Sequence, residues 1–94
     1  MPETYPPTSR VVLFTRPGCH LCDGARDLVR RVCEPAGVGW VEVDVDAPGP
    51  DAGPLREEYG ELVPVVEVDG VRQGYWYLDE ERLRRAVAAG PPRS

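Results

Sequence analysis

The fold of this chain of 94 residues is decided by one short stretch near its N-terminus, Arg16-Pro17-Gly18-Cys19-His20-Leu21-Cys22. An apolar run rich in β-branched residues, 10–15, precedes this stretch, and a run of apolar residues at helical spacing follows it. The Pro-Gly pair between the two runs marks a turn. The sequence therefore predicts a buried strand, a turn and a helix, with two cysteines where the helix begins.

The helix that starts at Leu21 is predicted from the spacing of its apolar residues. They recur at i, i+4, i+7, i+8 and i+11, which forms one stripe along a helix. The stripe consists of Leu21, Ala25, Leu28, Val29 and Val32. Because the residue before a proline disfavours the helical region, Pro35 is expected to end the helix near Cys33-Glu34.

The rest of the chain completes one small α/β domain over residues 10–90. Strict alternation predicts a half-buried strand, Asp69-Gly70 favours a type I′ hairpin turn, and Asp79 is a good helix cap. The predicted elements are a strand at 41–46, a short helix at 54–59, strands at 65–68 and 71–73, and a helix from Asp79 to about Ala89. The first strand, helix and second strand form a βαβ unit, whose strands should be parallel. Residues 1–9 are predicted to be a flexible arm, and 91–94 a tail.

Composition excludes several classes of function. The net charge of −5, from 16 acidic and 11 basic residues, argues against a nucleic-acid-binding protein. No apolar run approaches the roughly 18 residues that span a membrane. Residues 1–7 lack the basic start and the apolar stretch of a signal peptide, which predicts a cytoplasmic protein. A structural disulfide is rare in that compartment.

Cys19 and Cys22 are spaced for thiol–disulfide exchange. Unpaired backbone N–H groups and the positive end of the helix dipole stabilise a thiolate at the start of a helix, and the thiolate is the nucleophile. Cys22, one turn later, is placed to attack a mixed disulfide formed at Cys19. Because the chain contains no lysine, further positive charge must come from Arg16 or from protonated His20.

Other uses of the cysteine pair have less support. A zinc site needs more ligands, but His20 lies inside the pair and Cys33 is about 16 Å along the helix from the second cysteine. Haem attachment requires a histidine after the second cysteine, where this chain has Asp23. Cys33 itself is predicted to be a small buried apolar residue.

Three features together resemble the glutaredoxin branch of the thioredoxin fold: the stretch 16–22, Val63-Pro64 before the third strand, and the order of elements. More narrowly, the chain resembles small bacterial glutaredoxin-like proteins that carry Cys-His-Leu-Cys. The resemblance implies a four-stranded mixed sheet with helices on both faces and a cis peptide bond before Pro64. It also implies that Pro64 lies beside Cys19 and that the Val63 backbone pairs with a bound peptide or thiol. An ordinary proline at the start of a strand is the alternative.

The resemblance is weaker where family members grip glutathione. Those members carry a Gly-Gly pair after the fourth strand, whereas residues 74–79 read Gly-Tyr-Trp-Tyr-Leu-Asp. This difference argues against glutathione as the cosubstrate. The absence of lysine, isoleucine and asparagine fits a GC-rich coding sequence, and a GC-rich actinobacterium would use a different small thiol, mycothiol. We expect the three aromatic side chains to pack on the last helix, with contact to substrate as the alternative.

The sequence thus predicts a thiol–disulfide oxidoreductase that reduces protein or small-thiol mixed disulfides, with a reductase as its electron donor. No metal or organic cofactor, nucleic acid or membrane is expected, and a low-molecular-weight thiol is the candidate cosubstrate. The alternative is a non-catalytic binding or assembly module of the thioredoxin fold. The predicted catalytic residues are Cys19 and Cys22, which form the redox-active disulfide, and the predicted substrate-binding residues are Arg16, His20, Val63 and Pro64.

Overall fold

The structure, a computed structural model, describes residues 9–46 and 52–90. Its elements follow the predicted order: β1 (Ser9–Thr15), α1 (His20–Ala36), β2 (Gly39–Asp44), α2 (Ala52–Tyr59), β3 (Val65–Val68), β4 (Val71–Tyr75) and α3 (Glu80–Ala89). Most of the predicted arm, 1–8, and the whole predicted tail, 91–94, lie outside the described residues. Ser9, which the sequence placed in the arm, begins β1 because its backbone pairs with Gly39.

The four strands form one mixed sheet in the order β2-β1-β3-β4. Strand β1 is parallel to β2 and antiparallel to β3, as the βαβ unit and the hairpin require. Alternate residues of β1 enter two different cores: Leu13 packs with α1 and α3, and Phe14 with Tyr59 of α2. The helices therefore cover both faces of the sheet, and the predicted α/β architecture is confirmed.

Helix α1 ends later than predicted. Pro35 lies inside its last turn, and the chain leaves the helix at Gly37, whose φ of 68° is left-handed. The Gly37 N–H donates to Glu34 O at 3.1 Å, and the Val38 N–H donates to Cys33 O at 3.0 Å. These bonds form a Schellman motif. The expectation that Pro35 ends the helix is wrong. The proline costs the helix one N–H donor, while the two capping bonds satisfy the carbonyls of Cys33 and Glu34 at the end of the helix.

The hairpin and the final helix follow their predicted local chemistry. Asp69 and Gly70 have φ of 52° and 83°, and a type I′ turn requires both to be positive. The Asp79 carboxylate accepts from the N–H groups of Glu81 and Arg82, which caps α3. Strand β2 starts and ends two residues earlier than predicted, and α2 begins two residues earlier.

Arg10 ties the hairpin to the rest of the domain. Its guanidinium makes two hydrogen bonds to the Asp69 carboxylate, at 3.0 and 2.9 Å, and one to Val87 O at 3.2 Å. The start of β1, the turn between β3 and β4, and the end of α3 are thereby held together. Within the described part of the chain, no helix is both long enough and apolar enough to cross a membrane.

Gly24 inside α1 and Gly37 just after it should respond in opposite ways to substitution by alanine. Gly37→Ala should lower the free energy of unfolding by about 1–2 kcal/mol, because an L side chain is strained at this positive φ. Gly24→Ala should raise it by about 0.5–1 kcal/mol, since Gly24 is inside the helix and an added Cβ meets nothing within 4 Å. Urea unfolding measures both. A Gly37→Ala variant as stable as the parent chain would contradict the assignment of the cap.

Candidate active site

The two cysteines of the motif lie at the N-terminal end of α1, with different exposure. Cys19 is the N-cap residue and is half-buried, while Cys22 is 2% exposed and belongs to the core cluster on the α2 face of the sheet. Both sulfurs are free thiols. They line a cavity of about 310 Å³. The residues around this cavity are Arg16, Pro17, Gly18, Cys19, His20, Cys22, Asp23 and Arg26.

Burial raises the pKa of the Cys22 thiol, and a hydrogen bond with the Cys19 side chain raises it further. A hydrogen bond from the Arg16 backbone N–H and the positive charge of Arg26 act in the opposite direction. In the reduced protein the Cys22 thiol therefore stays protonated near neutral pH. Cys19 is the sulfur that a substrate disulfide can reach.

Arg16 is close to the cysteines, but its guanidinium is engaged elsewhere. Its Nε donates to the Asp46 carboxylate at 3.0 Å, and its Nη1 donates to Gly60 O at 2.6 Å. Arg16 thus joins the loop after β1 to the segments that follow β2 and α2. His20, the first residue of α1, is exposed and lines the cavity beside Cys19.

Arg26 was missed by the sequence analysis, although it lies one helical turn beyond Cys22. Its Nε and Nη2 donate to the two carboxylate oxygens of Glu42, both at 2.7 Å, and its Nη1 donates to Asp23 at 3.0 Å. Thr15, buried at the end of β1, donates its hydroxyl to the same Glu42 carboxylate at 2.8 Å. The i, i+4 spacing from Cys22 was a usable signal for Arg26. Its carboxylate partner on β2 depends on the packing of α1 on the sheet, which no local pattern reveals.

The peptide bond between Val63 and Pro64 is cis, as the resemblance implied. Val65 pairs with Phe14 in antiparallel register, so Pro64 and the loop that carries Cys19 emerge at the same edge of the sheet. Both Val63 and Pro64 are buried. The Val63 N–H donates to Tyr59 O at 3.1 Å. Pairing of this N–H with a bound chain would require that bond to open.

Trp76 is hydrogen-bonded to the loop that contains Pro64. Its backbone N–H donates to Pro64 O at 3.0 Å and to Leu62 O at 3.3 Å, and its indole N–H donates to Glu61 O at 2.9 Å. Trp76 itself has a positive φ of 61°. An aromatic residue and its hydrogen bonds therefore occupy the stretch in which glutathione-binding members carry the Gly-Gly pair.

The prediction that the aromatic side chains of this segment pack on the last helix is wrong. Tyr75, Trp76 and Tyr77 are 46%, 48% and 81% exposed. Leu78 is the residue that packs against the core formed by α1 and α3. The apolar side chain of Leu78 fills the place next to this core, so the three aromatic rings remain exposed to solvent. Trp76 and Tyr77 instead line a groove of about 190 Å³ that reaches α1 at Leu21, Gly24, Ala25 and Leu28.

Cys33 has the structural role that the sequence predicted. Its side chain is 0% exposed and lies in the core between α1, α3 and the sheet, away from the cluster that holds Cys22. Burial raises the pKa of the Cys33 thiol to about 11, so it stays protonated near neutral pH. Among the residues that the structure describes, no group of three or more His, Cys, Asp and Glu side chains is arranged to hold a metal ion.

Comparison with known proteins identifies the family. The Glutaredoxin-like domain (DUF836) matches residues 10–88, which include all four strands apart from Ser9 and both motif cysteines. The chain belongs to this glutaredoxin-like family. Uncharacterized proteins of Mycobacterium tuberculosis and Mycobacterium bovis are 36% identical to it over 80 residues, which cover 84% of this chain and 82% of theirs.

Two solved structures share the fold of this glutaredoxin-like protein. The X-ray structure of a structural-genomics target protein from X. campestris is 32% identical, covers 86% of this chain and 99% of its own, and has a TM-score of 0.64. The solution structure of a Nitrosomonas europaea protein also has a TM-score of 0.64, over 88% of this chain and 94% of its own. At 22% identity, this second likeness concerns the fold alone.

The Arg26–Glu42 pair predicts a pH-dependent effect on stability. Hydrogen bonds from Arg26 hold the pKa of the Glu42 carboxyl below its ordinary value of 4.5. A lowered pKa in the folded state means that the pair stabilises the protein above about pH 4.5 and stops doing so as the pH falls through the lowered value. Glu42→Gln should therefore lower the free energy of unfolding at pH 7 by about 1 kcal/mol, with partial exposure screening the pair.

Urea unfolding of the parent chain and the Glu42→Gln variant at pH 7 and at a series of lower pH values tests this effect, since the difference between the two should shrink as the pH falls below about 4.5. Glu34→Gln is the matched control, because Glu34 and Arg30 lie 3.9 Å apart with both side chains largely exposed. The control should change the free energy of unfolding by less than about 0.5 kcal/mol. An equal loss in both variants, or a loss from Glu42→Gln that persists at low pH, would contradict the role of the pair.

Proposed function

We propose that this glutaredoxin-like protein is a thiol–disulfide oxidoreductase in which Cys19 is the nucleophile and Cys22 the resolving thiol. The observation that carries the proposal is the unequal placement of the two sulfurs, one at the helix N-cap beside a cavity and the other buried one turn behind it. A purely structural pair of cysteines has no need of an accessible sulfur at a helix N-terminus.

The first step is attack by the Cys19 thiolate on a substrate disulfide. A bond forms between the Cys19 sulfur and one substrate sulfur, the substrate S–S bond breaks, and the other substrate sulfur leaves as a thiolate. Backbone N–H groups at the start of α1 face the N-cap position and stabilise negative charge there. The cavity beside Cys19 admits the attacked disulfide from solvent.

The second step is resolution by Cys22. Its thiol loses a proton to solvent, its sulfur attacks the Cys19 sulfur, and the remaining substrate sulfur leaves as a thiolate. The protein is left with a Cys19–Cys22 disulfide, and two electrons have passed to the substrate. A reductase or a small thiol must return two electrons before the next cycle. We propose no metal or organic cofactor for either step.

We further propose that the small-thiol cosubstrate is not glutathione. The Trp76 backbone and indole N–H groups are bonded to Glu61, Leu62 and Pro64, so they are not free to hold a tripeptide. The exposed rings of Trp76 and Tyr77 suit a thiol with a bulkier apolar or sugar surface. Mycothiol is the candidate, and the mycobacterial relatives support that choice.

Two cysteine variants test the proposed chemistry. Cys19→Ser should reduce a mixed disulfide at about 1% or less of the parent rate, because serine is not ionised near neutral pH. Cys22→Ser should instead accumulate a mixed disulfide at Cys19, visible by mass spectrometry under non-reducing conditions. Cys33→Ala is the matched control and should keep the parent rate, with a lower free energy of unfolding from the cavity it leaves. Unchanged rates in both Cys19→Ser and Cys22→Ser would favour the binding or assembly module.

The choice of thiol is tested by turnover coupled to NADPH, through thioredoxin reductase or through a small-thiol reductase. We expect the mixed disulfide of mycothiol to be reduced with a kcat/KM at least about tenfold above that of the glutathione mixed disulfide, a discrimination that a shaped site can supply. Equal or better turnover with glutathione contradicts this part of the proposal. It leaves the roles of Cys19 and Cys22 in place.

A further inference from the structure

The resolving step poses a physical difficulty that the two cysteines cannot meet by themselves. Cys22 is 2% exposed, and a buried sulfur resists ionisation because water cannot solvate its charge. Yet Cys22 must become a thiolate to attack the mixed disulfide. Some fixed positive charge or set of donors close to Cys22 has to replace the missing water.

Arg26 is the side chain placed to do this. It lies four residues after Cys22 on α1, so both side chains lie on the same helix face, one turn apart. Arg26 also lines the cavity that holds both motif cysteines. Arg16 lines it too, but its guanidinium bonds to Asp46 and to Gly60 O, and it reaches Cys22 only through its backbone N–H.

The guanidinium of Arg26 is held in a fixed place. Glu42 accepts two hydrogen bonds from it, Asp23 accepts a third, and Thr15 donates to the same Glu42 carboxylate. These contacts fasten the first turns of α1 to the adjoining ends of β1 and β2. A cation that is already positioned loses little conformational entropy when a thiolate forms nearby, so its field is available without rearrangement.

We propose that Arg26, clamped by Glu42 and Asp23, is a positioning residue that stabilises the Cys22 thiolate during resolution of the mixed disulfide. This inference rests on the proposed function. Arg26 forms no covalent bond and transfers no proton. Its charge lowers the cost of removing the proton from Cys22 to solvent, and the attack then releases the substrate thiolate from Cys19.

The two chemical steps can be followed separately with 5,5′-dithiobis(2-nitrobenzoate). Attack by Cys19 forms a mixed disulfide and releases one coloured thionitrobenzoate, and attack by Cys22 on the Cys19 sulfur releases a second. Stopped-flow absorbance of the reduced parent chain should show two phases of equal amplitude. The Cys22→Ser variant should show the first alone. A parent chain that releases only one thionitrobenzoate overturns the proposed function itself, whatever Arg26 does.

Arg26→Gln removes the positive charge and keeps a polar side chain. We expect its second phase to slow by about tenfold, the factor that corresponds to one pKa unit, while the first phase stays within about twofold of the parent rate. Arg26→Lys retains a positive charge on the same helix face but not the bidentate contact with Glu42. Its second phase should recover to within about threefold of the parent rate. A structural role alone would affect both phases and would not be rescued by lysine.

Arg30→Gln is the matched control, since Arg30 is one turn farther along α1 and pairs with Asp27 and Glu34 outside the cavity. It should leave both phases within about twofold of the parent chain. A second phase in Arg26→Gln that matches the control, or two phases slowed equally, overturns the assignment.

Asp23→Asn gives an independent test at a side chain that is 82% exposed and outside the packed core. It leaves Arg26 with one carboxylate partner in place of two, so more of its positive field reaches Cys22. We expect the second phase to become about two- to threefold faster. An unchanged or slower second phase counts against the proposal even where the Arg26 variants do not fold.

Discussion

The whole site depends on the burial of β1 on both of its faces. Leu13 and Phe14 point into different cores and are almost completely excluded from water, which fixes the strand in the middle of the sheet. Hydrophobic burial of this kind is worth about 2 kcal/mol or more for each large side chain. The loop with the motif cysteines follows directly from the end of β1, so the position of its first residue is fixed by the buried strand. The Pro64 loop emerges beside it because β3 pairs antiparallel to the same strand.

The arginine held in place beside the two cysteines is Arg26, and not Arg16 of the motif. Arg16 belongs to the motif, but its guanidinium joins two loops. Arg26 lies outside the motif, and three hydrogen bonds to carboxylates hold it beside the cavity. An arginine is suited to such a place because its planar fork can bond several acceptors while its charge persists at any accessible pH. A chain that contains no lysine therefore still carries fixed positive charge behind its buried thiol.

The segment after β4 lacks the Gly-Gly pair that the resemblance to glutathione-binding glutaredoxins would lead one to expect. Trp76 adopts a positive φ and uses both of its N–H groups to bond the loop before β3. Its ring and that of Tyr77 stay partly exposed along a groove beside α1, next to Leu21 of the motif. In place of a flexible Gly-Gly backbone, Trp76 and Tyr77 thus provide a hydrogen-bonded segment with an aromatic surface. Differences in substrate between members of one fold arise in such loops, since the scaffold beneath them is shared.

Local patterns in the sequence determined the order of the elements, the cysteines at the helix start, the Asp69-Gly70 turn and the Asp79 cap. Each of these depends on residues close in the chain, and their physical causes act over a few residues. The outward aromatic rings and the partners of Arg16 and Arg26 were decided by tertiary structure. Glu42 is 16 residues from Arg26, and Asp46 is 30 from Arg16. Such pairs form only when packing of helices and loops on a common sheet brings distant side chains within hydrogen-bonding distance.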